Sequence, residues 1–174
     1  MIDPEHGWDT DRLTLEPLTG RHAAELAPLL DDPALHEFIG GVPLTAAELA
    51  ERYARLRARR SADGSQVWCN WVLRVRESGA AIGTLQATLP ASGPPGGPAA
   101  VAWVVARVGQ RRGYAREAAT SLVDRLRQAG WTVEAYIHPG HLASQRVAQA
   151  AGLCATGHVV DGEIRWVSPR PGGD

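Results

Sequence analysis

The sequence predicts an α+β fold: a mostly antiparallel, mixed sheet of about six or seven strands flanked by about four helices. Three observations carry that expectation. Side-chain polarity alternates with a period of two from Val67 to Leu89, interrupted by a turn. Helical spacing with recognisable start or stop residues recurs in four places. Near the C-terminus Asp161-Gly162, a two-residue hairpin signal, joins two short strand-like runs. With 174 residues, 44% hydrophobic and 21% charged, the chain suits a single domain over 1–174, core about 12–168, able to bury a sizeable core without disulfides or a structural metal.

The first element is Arg12 to Leu18, whose alternating polar and apolar positions read as a strand with one buried face. A helix follows over about His22 to Leu30, stopped by Asp31-Asp32-Pro33. Thr45-Ala46-Ala47-Glu48 has capping-box spacing and opens a second helix. Leu49, Tyr53 and Leu56 recur on one side of it, and Glu51, Arg52, Arg55 and Arg59 form a solvated side. In the alternating region Val67, Cys69, Trp71, Leu73 and Val75 share one face, and Trp68, Asn70, Val72, Arg74 and Arg76 share the other. Glu77-Ser78-Gly79 turns the chain, and Ala81 to Leu89 returns. The apolar faces match across this hairpin only if Trp71 opposes Leu85 and Asn70 opposes Gln86. Asn70 and Gln86 then lie side by side, as a solvated pair or as groups that orient a substrate. Trp68 is a candidate aromatic wall for the same pocket.

Residues 90–98, rich in Pro and Gly, carry no periodicity and are expected to be a disordered loop. The apolar run from Ala99 to Ala106 suits a central strand buried on both faces. A helix over about Ala115 to Gln128 puts Leu122, Val123 and Leu126 inward and ends at Gly130. Trp131 to Ile137 is a strand, Leu142 to Ala151 a short helix ended by Gly152, and Leu153 to Val160 and Glu163 to Val167 the last two strands.

The charge balance disfavours some partners. All 18 basic residues are Arg, against 19 acidic residues, for a net charge of -1. Nucleic acid and membrane surfaces reward a large positive excess, so neither is expected as a partner. The opening residues lack the basic region and apolar stretch of a signal peptide, and no apolar run approaches the length of a membrane span. Cys69 and Cys154 have no CxxC partner and read as reduced core thiols, consistent with a cytoplasmic protein and no metal site.

The chemistry concentrates where Trp103-Val104-Val105-Ala106 runs into Arg107-Val108-Gly109-Gln110-Arg111-Arg112-Gly113-Tyr114-Ala115-Arg116. A strand here enters a loop rich in Gly and Arg that opens a helix. Helix starts leave backbone N–H groups without partners and carry partial positive charge. Gly113 permits close approach of a phosphate oxygen, and Arg111, Arg112 and Arg116 add forked donors. The implied ligand is a diphosphate. Neither the dinucleotide fingerprint nor the P-loop pattern is present, which moves NAD and ATP down the order.

Gln110-Arg111-Arg112-Gly113-Tyr114-Ala115 resembles the Q/R-x-x-G-x-G/A signature of the GNAT superfamily of N-acetyltransferases. Leu44 to Arg60, Ile82-Gly83-Thr84, the Ala-rich helix after the signature and His141-Leu142-Ala143-Ser144 look most similar to the branch containing the RimJ and RimL ribosomal-protein acetyltransferases. The resemblance spans about Arg12 to Ser168. It implies a GNAT-like α+β domain that uses acetyl-CoA as co-substrate and a primary amine, on a small molecule or a protein N-terminus, as acceptor. It also admits a homodimer. In that arrangement the backbone of Trp103, Val104 and Val105 pairs with the pantetheine amides, and Gln110 to Arg116 hold the diphosphate. Ser144 lies near the thioester sulfur, where a hydroxyl could protonate the leaving thiolate.

Two departures from the pattern leave the acid and base open. His141 stands where relatives have Asn, with no Tyr following on that helix, and Ala99-Ala100 stand where many carry a Glu. Candidate proton acceptors are His138 and His141, with Glu37, Asp161 and Glu163 as carboxylate alternatives. Two other expectations stand beside the acetyltransferase: a non-catalytic acyl-CoA or small-molecule binding module, and an enzyme using another donor such as succinyl-CoA.

Overall fold

In the computed structural model, which describes residues 2–169, the alternating segments pair as their patterns require. β3 (Gln66–Val75) and β4 (Ala81–Pro90) form the central hairpin. Trp71 opposes Leu85 and Asn70 opposes Gln86, the register that matched apolar faces demand. A bulge between Leu73 and Arg74 ends the regular pairing. β2 (Leu13–Pro17) joins the outer side of β3, and the two-residue β1 (Trp8–Asp9) joins β2. β5 (Ala99–Val105) lies on the other side of β4, followed by β6 (Val133–Ile137) and a terminal hairpin of β7 (Cys154–Val160) and β8 (Glu163–Val167). The eight strands lie in the order β1-β2-β3-β4-β5-β6-β8-β7. β5 and β6 are parallel and the remaining neighbours antiparallel.

Helices cover both faces: α1 (Ala23–Leu30), α2 (Pro33–Ile39), α3 (Ala46–Leu56), α4 (Tyr114–Gln128) and α5 (Leu142–Ala150). On one face Leu122, Val123 and Leu126 of α4 and Ala148 of α5 pack with Leu13, Leu15, Trp71, Leu73 and Leu85. On the other, Leu26 of α1 and Leu49 and Tyr53 of α3 cover Val72. The capping box of α3 forms as expected: Thr45 Oγ1 accepts from the Glu48 N–H at 3.3 Å, and the Glu48 carboxylate accepts from the Thr45 N–H at 2.9 Å. Arg74 fastens α1 to the sheet by donating to Glu16 at 3.0 Å and Glu25 at 2.8 Å.

The expected architecture is therefore present, with β1 and α2 added to it. Asp31-Asp32-Pro33 both stops α1 and starts α2: Asp32 Oδ1 accepts from the Ala34 N–H at 3.0 Å, and Pro33 occupies the first helical position. Three details differ from the sequence expectations. The apolar run of β5 is not buried on both faces, since Ala102 is exposed and Trp103 and Val104 are half-buried. Residues 90–98, expected to be disordered, carry a short 3₁₀ turn at Pro94–Gly96. Cys154 is exposed on β7 rather than core. Cys69 is buried, and burial pushes its thiol up to about 12, so it is unreactive.

β4 leaves no room for a side chain at Gly83, where an added Cβ would lie 2.1 Å from the Val104 carbonyl oxygen of β5. That neighbour is backbone within a ladder and cannot swing aside. Gly83→Ala is expected to cost about 1–3 kcal/mol of folding stability by chemical denaturation, by forcing these strands apart.

Candidate active site

β5 and β6 pair at Ala99 with Val133 and at Ala100 with Glu134, and no further. Beyond that point β6 continues beside β8, through Tyr136 with Arg165 and Ile137 with Ile164, whereas β5 stays on β4 as far as Val105 with Gly83. The two strands part like a V. Residues 101–105 thus keep one ladder side paired and turn the other toward open space, exposing backbone donors and acceptors that an extended ligand could use.

A cleft of about 740 Å³ occupies this opening and extends to the start of α4. Trp103, Val104 and Val105 line it, as do Gly109, Gln110, Arg111, Gly113, Tyr114, Ala115 and Arg116. Arg111, at φ 60°, and Gly113, at φ 81°, are both left-handed, with Arg112 between them. Such alternation brings successive N–H groups toward one side, a concavity suited to an anion. The first ladder bond at this end of α4 runs from the Glu117 N–H to the Gly113 carbonyl at 3.0 Å. The N–H groups of Tyr114, Ala115 and Arg116 consequently lack a partner in the helix. The Gln110 side chain is committed to the sheet, its Nε2 donating to the Val105 carbonyl at 3.0 Å. Tyr114 contributes its backbone, because its ring is buried in the core.

Charge reinforces the geometry. Arg107, Arg111, Arg116 and Arg146 line the cleft, and among the described residues none has an ion-pair partner. Four uncompensated guanidiniums around a nest of amides make an anion site. Arg112 is not part of this lining; its guanidinium carbon stands 5.9 Å from the Tyr114 ring centroid. Arg146, on α5, takes a place that the sequence pattern gave no reason to assign.

At the V a second cavity of about 80 Å³ is bounded by Val101, Ala102 and Trp103 on one side and Ala135, Tyr136 and Ile137 on the other. His138, His141, Ser144, Glu163 and Phe38 complete it. Phe38, His141, Ser144 and Trp103 border both cavities, so the two adjoin. The Phe38 ring lies 4.7 Å from His141, stacked, and 5.4 Å from His138. His141 caps α5, its Nδ1 accepting from the Ser144 N–H at 3.5 Å, and His138 Nδ1 accepts from the Gly140 N–H at 3.0 Å. An imidazole that accepts at Nδ1 carries its proton on Nε2 when neutral. In that form both rings offer a donor, which opposes the expectation that either accepts a proton. Burial, and then the neighbouring His138, lower the pKa of His141 and favour the neutral form. Glu163 differs: its carboxylate, half-buried on this wall, has no hydrogen-bond or ion-pair partner among the described residues, whereas Glu134 is held by Arg165 at 2.8 Å.

The acceptor-side residues expected from the hairpin lie elsewhere. Asn70 and Gln86 are neighbours as expected, but Asn70 is buried and, among the described residues, Trp68, Asn70 and Gln86 line neither cavity. Trp68 and Asn70 lie on β3, two strands from β5, whereas Gln86 on β4 is paired with Ala102 at the edge of the V. Phe38 was hidden from the sequence reading because α2 was; the Asp32-Pro33 pair was the available signal.

Comparison with known proteins agrees with this architecture. A family profile for the acetyltransferase (GNAT) domain matches residues 12–153; the chain belongs to the GNAT acetyltransferase family, which makes it an acyltransferase that uses a coenzyme A thioester. No curated protein matches it in sequence. Among solved structures it is similar to a GNAT-family acetyltransferase assigned in Bordetella pertussis, at 25% identity, TM-score 0.69, over 93% of this chain and 97% of that one. A protein described as a ribosomal-protein-serine acetyltransferase from Vibrio cholerae shares its fold at 18% identity, TM-score 0.71, over 95% and 98%. So does AAC(6')-Ib in complex with paromomycin and acetyl-CoA, at 22% identity, TM-score 0.72, over 92% and 94%. Among the described residues no helix is long and apolar enough to cross a membrane.

The lowered pKa of His141 has a thermodynamic consequence. The fold binds the neutral ring better than the charged one, so its contribution is fully present above the unfolded value of 6.5 and lost as pH falls below it. Thermal denaturation from neutral pH down to about pH 5 should show a steeper loss for the wild type than for His141→Asn, which keeps a capping side chain without a titrating ring. Parallel curves would remove His141 from the acid response.

Proposed function

We propose that this chain transfers the acetyl group of acetyl-CoA to a primary amine by direct attack within a ternary complex. The carrying observation is the continuity of the cleft: a nest of amides with four guanidiniums, unpaired among the described residues, leads along the open side of β5 into the V. Diphosphate would sit on the amides of Arg111 to Arg116, and the pantetheine arm would pair with the backbone of Trp103, Val104 and Val105. The thioester then reaches Ser144, His141 and Glu163. The architecture favours this over a binding-only module, because polar groups with complementary proton roles converge where a thioester would end.

The acceptor arrives as an ammonium ion and must lose a proton to attack. In this reading the Glu163 carboxylate accepts that proton. The neutral amine attacks the thioester carbon, and the carbonyl oxygen is stabilised by a backbone N–H near Val104 or Val105. The carbon–sulfur bond breaks, and the extra proton carried by the attacking nitrogen passes through the Ser144 hydroxyl to the departing thiolate, which leaves both the amide and Ser144 neutral. Neutral His141 contributes an Nε2 donor beside it. Positioning of amine and thioester in line supplies a large part of the acceleration.

Two acceptor types fit the sheet face beside Glu163. A protein N-terminus is supported by the resemblance to the RimJ and RimL branch and by the description of the Vibrio cholerae structure. A small-molecule amine is supported by the aminoglycoside in the AAC(6')-Ib complex. Both reactions draw on acetyl-CoA, which suits a cytoplasmic protein.

Incubating cell extract with isotopically labelled acetyl-CoA and reading the products by mass spectrometry identifies the acceptor; no labelled amine, and no thiol release beyond a protein-free control, would overturn the enzymatic reading. With an acceptor in hand, Ser144→Ala is expected to lower kcat about ten- to a hundredfold. Glu163→Gln should lower kcat/KM most at acid pH, the loss narrowing as pH rises and the free amine becomes abundant. A pH-independent loss would exclude Glu163 as the proton acceptor.

A further inference from the structure

Arg12 and Glu117 stand 105 positions apart in the chain, yet they make one of the densest polar clusters in the molecule. Arg12 Nε donates to Glu117 Oε2 at 2.7 Å, and its NH2 group reaches the same oxygen at 2.7 Å. Oε1 accepts from the Arg12 backbone N–H at 2.8 Å and from Thr10 Oγ1 at 2.6 Å. The remaining arm of the guanidinium, NH1, donates to the Arg112 carbonyl at 2.9 Å. The guanidinium carbon lies 4.8 Å from the Tyr114 ring centroid. The start of β2 is thereby tied to the loop that carries the two left-handed residues.

We infer that Arg12 and Glu117 act as a latch that aims the Gly113 N–H into the cleft and neutralises a carboxylate that would otherwise repel the bound diphosphate. This rests on the coenzyme A reading above. The aiming follows from peptide geometry. In a trans peptide the carbonyl and the following N–H point in opposite directions. Arg12 holds the Arg112 carbonyl on its own side, and Arg12 does not line the cleft, whereas Gly113 does. The N–H of Gly113 therefore turns toward the cleft. Without the latch the Arg112–Gly113 peptide, with Gly113 at a φ of 81° that only glycine readily leaves or adopts, can rotate and present its carbonyl dipole to the anion instead.

The electrostatic part follows from position. Glu117 lies in the first turn of α4, where an acid suits the isolated helix but opposes any other anion bound at that end. Saturating both carboxylate oxygens with donors, one of them cationic, removes the conflict. Arg12 is thus a positioning residue; its arms are spent on Glu117 and Arg112, and it acts on the ligand through the Gly113 amide and through charge balance.

Calorimetric titration with acetyl-CoA tests the latch in wild type, Arg12→Met, Glu117→Gln and the double variant, at low and moderate ionic strength. Arg12→Met should weaken binding roughly tenfold. The double variant should recover to within about threefold of wild type because the exposed carboxylate is gone, and the Arg12→Met defect should shrink with added salt. A purely structural clamp would leave the double variant as weak as Arg12→Met and the defect insensitive to salt; either result overturns the inference. Thermal denaturation of each variant accompanies the titrations. Should Arg12→Met fail to fold, Arg12→Lys with and without Glu117→Gln makes the same comparison with a single-point cation that cannot span both partners. A wild-type chain without acetyl-CoA affinity overturns the functional reading and the latch together, whereas normal wild-type binding with an unmoved Arg12→Met overturns the latch alone.

Discussion

The parting of β5 from β6 after two residue pairs is the constraint on which the site depends. A continuous parallel ladder would bury the backbone of residues 101–105, and the sheet would have no opening. Because β6 is held by β8 and β5 by β4, each strand keeps one complete neighbour while their shared side opens. The unpaired backbone is tolerated because it faces a cleft that water or a ligand can reach. The cleft, the wedge cavity and the convergence of α4 and α5 on it follow from that divergence.

The α4 end of the cleft combines two otherwise unrelated features. Left-handed Arg111 and Gly113 shape the loop, and the helix start supplies N–H groups and partial charge. The two reinforce each other: the nest adds convergent donors, and the helix start adds the field of its dipole. Arginines from three elements, including Arg146 of α5, surround the result, without ion-pair partners among the described residues. At the far end Glu163 has no hydrogen-bond or ion-pair partner among the described residues, and the two histidines accept at Nδ1. Phe38 joins these groups into one wall by packing on both rings.

How much of this could be read in advance varied with the range of the cause. The register of the β3–β4 hairpin was legible because a period of two leaves one alignment that buries both apolar faces. The capping box of α3 was legible because its four residues decide it locally. α2 is hard to read from the sequence because its apolar residues Leu35, Phe38 and Ile39 span little more than one turn, and Pro33 reads equally as the stop of the preceding helix. The continuous apolar run of β5 was misjudged as doubly buried: hydrophobicity records what a strand can bury, and here its open face borders a cleft. Trp68, Asn70 and Gln86 share the expected pairing but line neither cavity among the described residues, because pairing fixes which residues are neighbours and not which side chains reach an opening.

The sequence by itself determined the alternation and capping that make the elements, and the Gly- and Arg-rich turn that makes an anion site at the start of α4, since each depends on neighbours within a few positions. Only the tertiary structure decided where β5 and β6 separate, which brings Glu163, Phe38 and Arg146 to the opening, and that Arg12 meets Glu117 beside the loop that opens α4. Those contacts join residues tens to more than a hundred positions apart, and no local preference of the chain encodes such a meeting; it follows from the order in which the strands assemble.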